Sequence, residues 1–197
     1  MISRNTALAP ERTALLLMDL QPVLLDGLTE QDRVLEHAER ARKAALAAGI
    51  REVHVRVAFD PEDHAAVPAH NKVFAPLAAA GALAAAEPAT AVHPRLRADG
   101  QAHTVTKTRV GAFSTTALDG FLREQGIDTL VLGGIHTSGV VLSTVREAAD
   151  RDYRLLVLSD VCADPDARLH RTLLDSVLPM QADLLDTAAF EATAEAR

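Results

Sequence analysis

The stretch TLVLGGIHTSGVVLSTVREAADRDYRLLVLSD, residues 129–160, decides the fold of this chain. An apolar run over residues 130–132 meets two glycines, and a short polar turn over residues 136–139 follows. Residues 140–149 then have the apolar spacing of a helix, and residues 153–158 form a second apolar run. A strand, a turn, a helix and a strand in this order predict a parallel α/β unit.

The polar turn of this unit is the first place to expect a binding site. In a parallel sheet, ligands bind beyond the carboxyl ends of the strands, which is where the turn lies. The turn also opens a helix, whose free N–H groups and dipole favour an anion. We therefore expect the backbone N–H groups of residues 137–140 to meet an anion or a developing oxyanion.

The rest of the chain repeats the alternation of strands and helices. We expect one three-layer α/β/α domain over residues 1–197, with a mainly parallel, Rossmann-like sheet of six strands. The predicted strands are residues 13–18, 53–57, 104–108, 129–132, 154–158 and 182–185. The predicted helices are residues 30–48, 74–86, 116–125, 140–149 and 169–178. Residues 59–68 are expected to form a loop over the crevice, and residues 88–97 an irregular stretch.

Composition excludes several classes of protein. A chain of 197 residues suits a single α/β domain, and its net charge of −7 argues against general nucleic-acid binding. A single cysteine excludes an internal disulfide and any all-cysteine metal site. We expect no membrane span, because no apolar run reaches about 20 residues, and no signal peptide over residues 1–12. These features predict a protein of the cytoplasm.

Two charged residues stand at the ends of predicted strands. Asp19 follows the apolar run 13–18, where a carboxylate costs free energy unless it is paired or lies at the open end. It is either a general acid or base or a cap that binds nearby N–H groups. Lys107 ends the strand 104–108, where it either holds Asp19 ionised and orients a substrate or is a solvated lysine of an edge strand.

The polar turn also carries a motif. The chain resembles the isochorismatase-like (cysteine hydrolase) superfamily, whose members have the pattern G-x-x-T-x-x-C-V-x-x-T. The residues that fall on this pattern are Gly134, Thr137, Val141 and Thr144, with Val140 at the position of the nucleophilic cysteine. The resemblance covers nearly the whole chain and implies an isochorismatase-like hydrolase fold.

Two further motifs carry the same resemblance. Asp19 in LLLMDLQ matches the catalytic aspartate of the family and is followed by Gln21. Lys107 in TVTKTRVGAFSTTALDGFL matches the catalytic lysine, with Phe113 and Leu118 on the conserved stretch that follows in the family. The resemblance thus implies that Asp19 and Lys107 are catalytic and meet in one pocket near the polar turn.

Val140 changes the chemistry that the resemblance implies, because valine is no nucleophile. Isochorismatases also lack the cysteine, usually with glycine in its place, and hydrolyse a vinyl ether by protonation without a covalent intermediate. We therefore expect a hydrolase that acts on a small carbonyl or enol-ether metabolite through Asp19 and Lys107. The alternative is a catalytically inactive member that keeps the pocket for ligand binding or assembly.

Other nucleophiles remain open at this point. Thr137, Ser138 and Ser143 are hydroxyls near the turn, although the first two suit a helix cap better. Cys162 follows a predicted strand and is either a displaced thiol or a small packing residue. His136 either contacts substrate or is bonded to backbone, and in relatives the peptide bond before this position is often cis.

The expected contacts of the substrate surround the turn. The substrate-binding residues predicted are Gln21, Phe113, Ile135, His136, Thr137, Ser138, Gly139 and Val140. Nicotinamidases of the superfamily bind a metal through a D-x-H-x-H-like cluster, whereas residues 60–64, DPEDH, lack that spacing. We expect no metal, no cofactor, a small-molecule substrate and assembly as a homodimer or a higher homo-oligomer.

Overall fold

A computed structural model of the chain describes residues 8–97 and 102–195. It has one six-stranded sheet, whose strands run parallel in the order β3-β2-β1-β4-β5-β6. The strands are β1 Thr13–Met18, β2 Arg51–Val57, β3 His103–Lys107, β4 Thr129–Ile135, β5 Arg154–Ala163 and β6 Asp183–Leu185. The predicted six-stranded α/β fold is confirmed.

Helices cover both faces of the sheet. They are α1 Pro22–Leu25, α2 Gln31–Ala48, α3 Pro61–Ala65, α4 Phe74–Ala79, α5 Leu118–Glu124, α6 Leu142–Ala149, α7 Ala167–Thr172 and α8 Thr187–Glu195. Single turns of 3-10 helix lie at Pro10–Arg12, Pro88–Thr90, Pro94–Leu96 and Leu178–Met180, and π-helical turns at Thr137–Val141 and Leu173–Val177. No described helix combines the length and the apolar composition needed to cross a membrane.

The central strand shows why the sheet has two covered faces. Side chains alternate along a strand, so Leu16 and Met18 enter the apolar cluster beneath α5 and α6. Leu15 and Leu17 enter the opposite cluster, which α2 and α8 cover. All residues of β1 are buried, as expected for a parallel strand packed on both sides.

The strands β4 and β5 are longer than the sequence predicted. β4 continues through Gly133 and Gly134 to Ile135, because glycine lets it pass close to its neighbours. A Cβ atom at Gly134 would lie 2.2 Å from the carbonyl oxygen of Met18 in β1. The pairing of β4 with β5 shifts register at this point, and β5 continues to Ala163.

Several predicted helix limits were wrong. The expected loop 59–68 contains α3, and the expected helix 74–86 is helical only over Phe74–Ala79. α7 begins before the predicted position because the Asp166 carboxylate accepts hydrogen bonds from two N–H groups of its first turn. α8 was not predicted. The expectation for the N-terminal segment falls partly on residues 1–7, which lie outside the described residues.

Candidate active site

Asp19 is the first residue after β1, and its backbone is unusual. Its φ of 58° lies in the left-handed region, which costs a residue with a side chain about 1–3 kcal/mol. Its N–H donates to Val55 O at 2.8 Å, and its own carbonyl accepts from Gln21 N at 2.8 Å. These bonds hold the chain in a sharp turn, which directs the carboxyl group away from the line of the strand.

Lys107 reaches Asp19 from two strands away. It is the last residue of β3, paired with Val57 of β2, and β2 separates β3 from β1. Its Nζ lies 2.8 Å from Asp19 Oδ2 and donates a second hydrogen bond to Arg109 O at 3.1 Å. The predicted contact between Asp19 and Lys107 is confirmed, because the carboxyl ends of parallel strands meet at one edge of the sheet.

The pair is almost completely enclosed. The side chain of Lys107 is 2% exposed and that of Asp19 is 7% exposed. Burial disfavours the carboxylate and raises the pKa of Asp19 to about 6, although the charge and hydrogen bond of Lys107 lower it. Asp19 Oδ1 is buried and has no hydrogen-bond partner among the described residues. Asp19 can therefore be protonated near neutral pH. Its Oδ1, which makes no hydrogen bond to a described residue, is free to carry the proton.

The turn after β4 approaches the same edge of the sheet. The peptide bond between Ile135 and His136 is cis, and the π-helical turn Thr137–Val141 leads into α6. His136 and Gly139 are half-buried, whereas the side chain of Val140 is packed into the apolar core at 2% exposure. Val140 thus places a buried apolar group at the position where the pattern described above has its cysteine.

Two residues of this turn are held by the segment that follows β5. Thr137 is fully buried, donates to Ala163 O at 3.1 Å and shares a hydrogen bond of 2.8 Å with His170 Nδ1. Ser138 donates to Asp164 Oδ2 from its N–H at 2.8 Å and from its hydroxyl at 2.7 Å. The N–H of Gly139 donates to His136 O at 3.1 Å. The expectation that the N–H groups of residues 137–140 face an oxyanion is therefore wrong for Ser138 and for Gly139.

Asp164 is the anion that this helix start binds. Burial alone would raise its pKa, but the hydrogen bonds from the side chain and backbone of Ser138, together with the N–H of Asp166 and the charge of His136, hold the pKa below its ordinary value. Sequence reasoning missed both Asp164 and His170. They lie 26 and 33 residues from their partners in the turn, so no local pattern links them.

Gln21 was predicted to contact substrate, but its side chain bonds to the backbone of the protein instead. Its side chain is fully buried, and its amide Nε2 donates to Val57 O at 2.9 Å and to Thr90 O at 2.6 Å. Its Oε1 accepts from Val57 N at 2.9 Å. With the amide engaged on both sides, Gln21 fixes the end of β2 beside Asp19 and has little left to offer a ligand.

Phe113 and Ile135 also differ from the prediction. The Phe113 ring lies 6.0 Å from that of Tyr153 and beneath the guanidinium of Arg151, two residues that precede β5 at the opposite end of the sheet. The side chain of Ile135 is 1% exposed and packs into the cluster beneath α2, because the alternation of the strand directs it there. Both side chains belong to the core.

Cys162 is a packing residue of β5. It pairs with Gly134 in the sheet and is 3% exposed. Burial raises the pKa of its thiol to about 12, against a hydrogen bond from the backbone of Gly134 that lowers it. Thiolate is the nucleophilic form of cysteine, so this thiol is poorly suited to displaced thiol chemistry.

The DPEDH segment, residues 60–64, is held by contacts within the protein. Asp63 Oδ2 accepts a hydrogen bond from Asp60 N at 3.1 Å and so closes the first turn of α3. The ring of His64 stacks on Phe59 with centroids 5.1 Å apart, and its Nε2 lies 2.8 Å from Ala82 O. These contacts hold α3 against the segment that follows β2.

Comparison with known proteins agrees with this fold. The isochorismatase domain model matches residues 13–189. The chain is 29% identical to the ureidoacrylate amidohydrolase RutB of Acinetobacter baylyi over 93% of this chain and 84% of that protein. It superimposes on an isochorismatase family protein from Burkholderia thailandensis with a TM-score of 0.83 and 27% identity, over 96% of this chain and 98% of the other. A cysteine hydrolase from Pseudomonas syringae gives a TM-score of 0.84 at 22% identity, over 95% and 94% of the two chains.

Proposed function

We propose that this chain, which belongs to the isochorismatase family, hydrolyses a small carbonyl or enol-ether metabolite by acid–base chemistry without a thiol nucleophile. One observation carries the proposal. Asp19 is buried against Lys107 with Nζ and Oδ2 2.8 Å apart, and its pKa is raised to about 6. A carboxyl group of this kind exchanges a proton near neutral pH, where an ordinary aspartate is fully ionised.

An enol ether shows what such a group can do. Protonated Asp19 donates its proton to the terminal carbon of the double bond, and the carbon attached to the ether oxygen becomes an oxocarbenium ion. Water adds to that carbon and gives up a proton to the Asp19 carboxylate. The resulting hemiketal collapses to a ketone and an alcohol, so the enzyme returns to its starting state.

The same pair serves a carbonyl substrate in the opposite order. Asp19 in its carboxylate form takes a proton from the water that attacks the carbonyl carbon, and later gives this proton to the leaving group. In both reactions Lys107 stabilises the negative charge on Asp19 and holds the carboxyl group in place. Neither reaction needs a covalent intermediate, which is consistent with Val140 at the thiol position.

A second candidate function is binding without turnover. Two observations favour it. Val140 stands in place of the nucleophile, and the Asp19–Lys107 pair is almost completely buried, which leaves little of it accessible to a substrate. A protein of this kind would keep the pocket for a ligand or for assembly. Homodimers or higher homo-oligomers are part of our proposal in either case, and light scattering during size-exclusion chromatography would test them.

Assays on a panel of small enol ethers and amides test the proposed reaction. We expect α-methoxyacrylate or a related compound to be hydrolysed, and we expect iodoacetamide, Cys162→Ala and Cys162→Ser to leave kcat/KM within about twofold, because a buried neutral thiol takes no part. The alanine variant controls for the polarity of the serine hydroxyl in the core.

Two results would contradict this expectation. Loss of turnover in both Cys162 variants, with an unchanged circular dichroism spectrum, would return the thiol to the mechanism. Calorimetric binding of panel compounds without turnover of any of them would favour the function of binding alone.

A further inference from the structure

We propose that His170 is a positioning residue of the candidate active site, which acts through Thr137 to hold the turn after β4 beside Asp19. This role rests on the proposed function, because it gives a residue outside the Asp19–Lys107 pair a part in the same reaction. The observation that carries it is a buried hydrogen-bond network between the turn and α7.

The turn lies against the strand end that carries Asp19. Met18 and Gly134 are the last paired residues of β1 and β4, so Asp19 and the start of the turn leave the sheet at nearly the same level. On its other side the turn approaches the segment after β3, because a Cβ atom added at Gly139 would lie 4.0 Å from Val110 Cγ1. A displaced turn would therefore change the space beside the carboxyl group.

The hydrogen bonds of Thr137 show which group donates to which. Its side chain is fully buried, and its hydroxyl oxygen lies 3.1 Å from Ala163 O and 2.8 Å from His170 Nδ1. A hydroxyl group has one proton, and a carbonyl oxygen can only accept, so the proton of Thr137 goes to Ala163 O. His170 therefore donates from Nδ1, and the network assigns a proton to that nitrogen.

A second side chain from the same segment holds the next residue of the turn. The Asp164 carboxylate accepts hydrogen bonds from the N–H of Ser138 at 2.8 Å and from its hydroxyl at 2.7 Å. Thr137 and Ser138 are thus each tied to the chain that follows β5. Two ties on consecutive residues set both the position and the orientation of the turn, whereas one tie would leave it free to rotate.

The network is better suited to positioning than to stability. An apolar residue of the same shape could fill the place of Thr137 without a partner, and replacing both members of a buried hydrogen bond in this way is nearly neutral for stability. The His170 ring is only half-buried and borders cavities of about 270 Å³ and 300 Å³ between α7 and residues 27–34. A satisfied polar network of this kind selects one arrangement of the groups that it joins.

A double-mutant cycle tests whether His170 acts through Thr137. We measure kcat and KM for α-methoxyacrylate with the native protein, His170→Phe, Thr137→Val and the double variant. The first change keeps a ring and removes the donor, and the second keeps the shape and removes the hydroxyl. His103→Phe is the matched control, because it makes the same change at an exposed histidine at the start of β3, whose ring stacks on Phe121.

We expect His170→Phe and Thr137→Val each to lower kcat by about tenfold to a hundredfold, the loss that a small displacement near reacting groups can cause. KM should change less than kcat. The double variant should lose no more than the larger of the single losses, because both changes break one connection, and His103→Phe should keep the native kcat. Losses that multiply in the double variant, or a native kcat in His170→Phe, would overturn the proposed role.

The variant His170→Asn separates positioning from support of the fold. The asparagine Nδ2 lies nearly where the imidazole Nδ1 lies and can donate to Thr137, although the side chain fills less space. We expect it to regain most of the kcat that His170→Phe loses, without a higher free energy of unfolding in denaturant. A kcat that follows the free energy of unfolding across these variants would mean that His170 is merely structural.

An NMR measurement separates this role of His170 from the proposed reaction. The ring signals of His136, assigned by their absence in His136→Gln, report the position of the turn without any substrate. They should shift in His170→Phe and in Thr137→Val, return toward their native positions in His170→Asn, and stay unchanged in His103→Phe. If no enol ether is hydrolysed, the proposed reaction fails, but these shifts would still support His170 as the residue that positions the turn. Native His136 signals in His170→Phe would overturn that role.

Discussion

Asp19→Asn is expected to lower kcat/KM for an enol-ether substrate by about a hundredfold to ten-thousandfold, the contribution typical of general acid catalysis. An asparagine amide has nearly the shape of the carboxyl group and can still accept the hydrogen bond from Lys107 Nζ, but it has no acidic proton to donate. Steady-state kinetics on α-methoxyacrylate measure the loss, and circular dichroism with thermal unfolding checks that the fold remains.

The control for this variant is Asp175→Asn, which makes the same change at an exposed aspartate after α7. It should leave kcat/KM unaltered. Native turnover in Asp19→Asn would show that another group supplies the proton. Turnover lost together with the circular dichroism spectrum would show only that the buried pair supports the fold, and the comparison would then move to Asp19→Glu.

Lys107→Met is expected to shift the pH dependence of the reaction to higher pH. The ammonium group of Lys107 lowers the pKa of Asp19 against the effect of burial. Without it, the pKa of Asp19 rises, by roughly one to three units for the loss of a close opposite charge. The pH at which activity on the enol ether is half lost should rise with it, while kcat falls because the carboxylate left after donation has lost its counter-charge.

The same variant should show a matching change in stability. The pKa of Asp19 in the folded protein already lies above its pKa in the unfolded chain. Protonated Asp19 therefore contributes to the free energy of unfolding fully at low pH, and this contribution is lost as pH rises through the folded-state pKa. In Lys107→Met this loss should extend to higher pH. Denaturant unfolding between about pH 5 and 8 measures it, with Lys43→Met on the exposed side of α2 as control. An unaltered rate profile and an unaltered stability profile would contradict the coupling of the two groups.

The sequence predicted the centre of the site because that centre follows from strand order. Asp19 and Lys107 each stand at the carboxyl end of a parallel strand, and such ends meet at one edge whatever the details of packing. Val140 could be placed in the same way, because the spacing of its motif puts it in the turn just after the end of β4. The positions of these three residues follow from the order of the strands and from where each strand ends.

The residues around the centre could not be placed by that reasoning. Gln21 was expected to contact substrate, but its amide is used by Val57 and Thr90, which lie 36 and 69 residues away. The ring of Phe113 turns to Tyr153 at the far end of the sheet. A motif fixes where a residue falls along the chain, whereas the direction of its side chain depends on partners that are distant in sequence.

Local signals were also overlooked. The pattern Asp60-Pro61 followed by Asp63 is typical of a helix start, with proline in the first turn and an acidic residue at its third position. The stretch was nevertheless predicted to be a loop because of its prolines and charges. The lengths of β4 and β5 could not be read from composition, since their extension depends on how closely Gly134 passes Met18.

Titration of the Asp19 carboxyl group tests the account most directly. Carboxyl-carbon NMR on protein with isotope-labelled aspartate, with the signal assigned by its absence in Asp19→Asn, gives the pKa without any assumption about substrate. The account predicts a midpoint near the raised value of about 6, and a kcat/KM for α-methoxyacrylate that falls with rising pH around the same midpoint. A midpoint in the ordinary range of aspartate, about 4, or a rate that is independent of pH across the measured midpoint, would contradict the assignment of Asp19 as the proton donor.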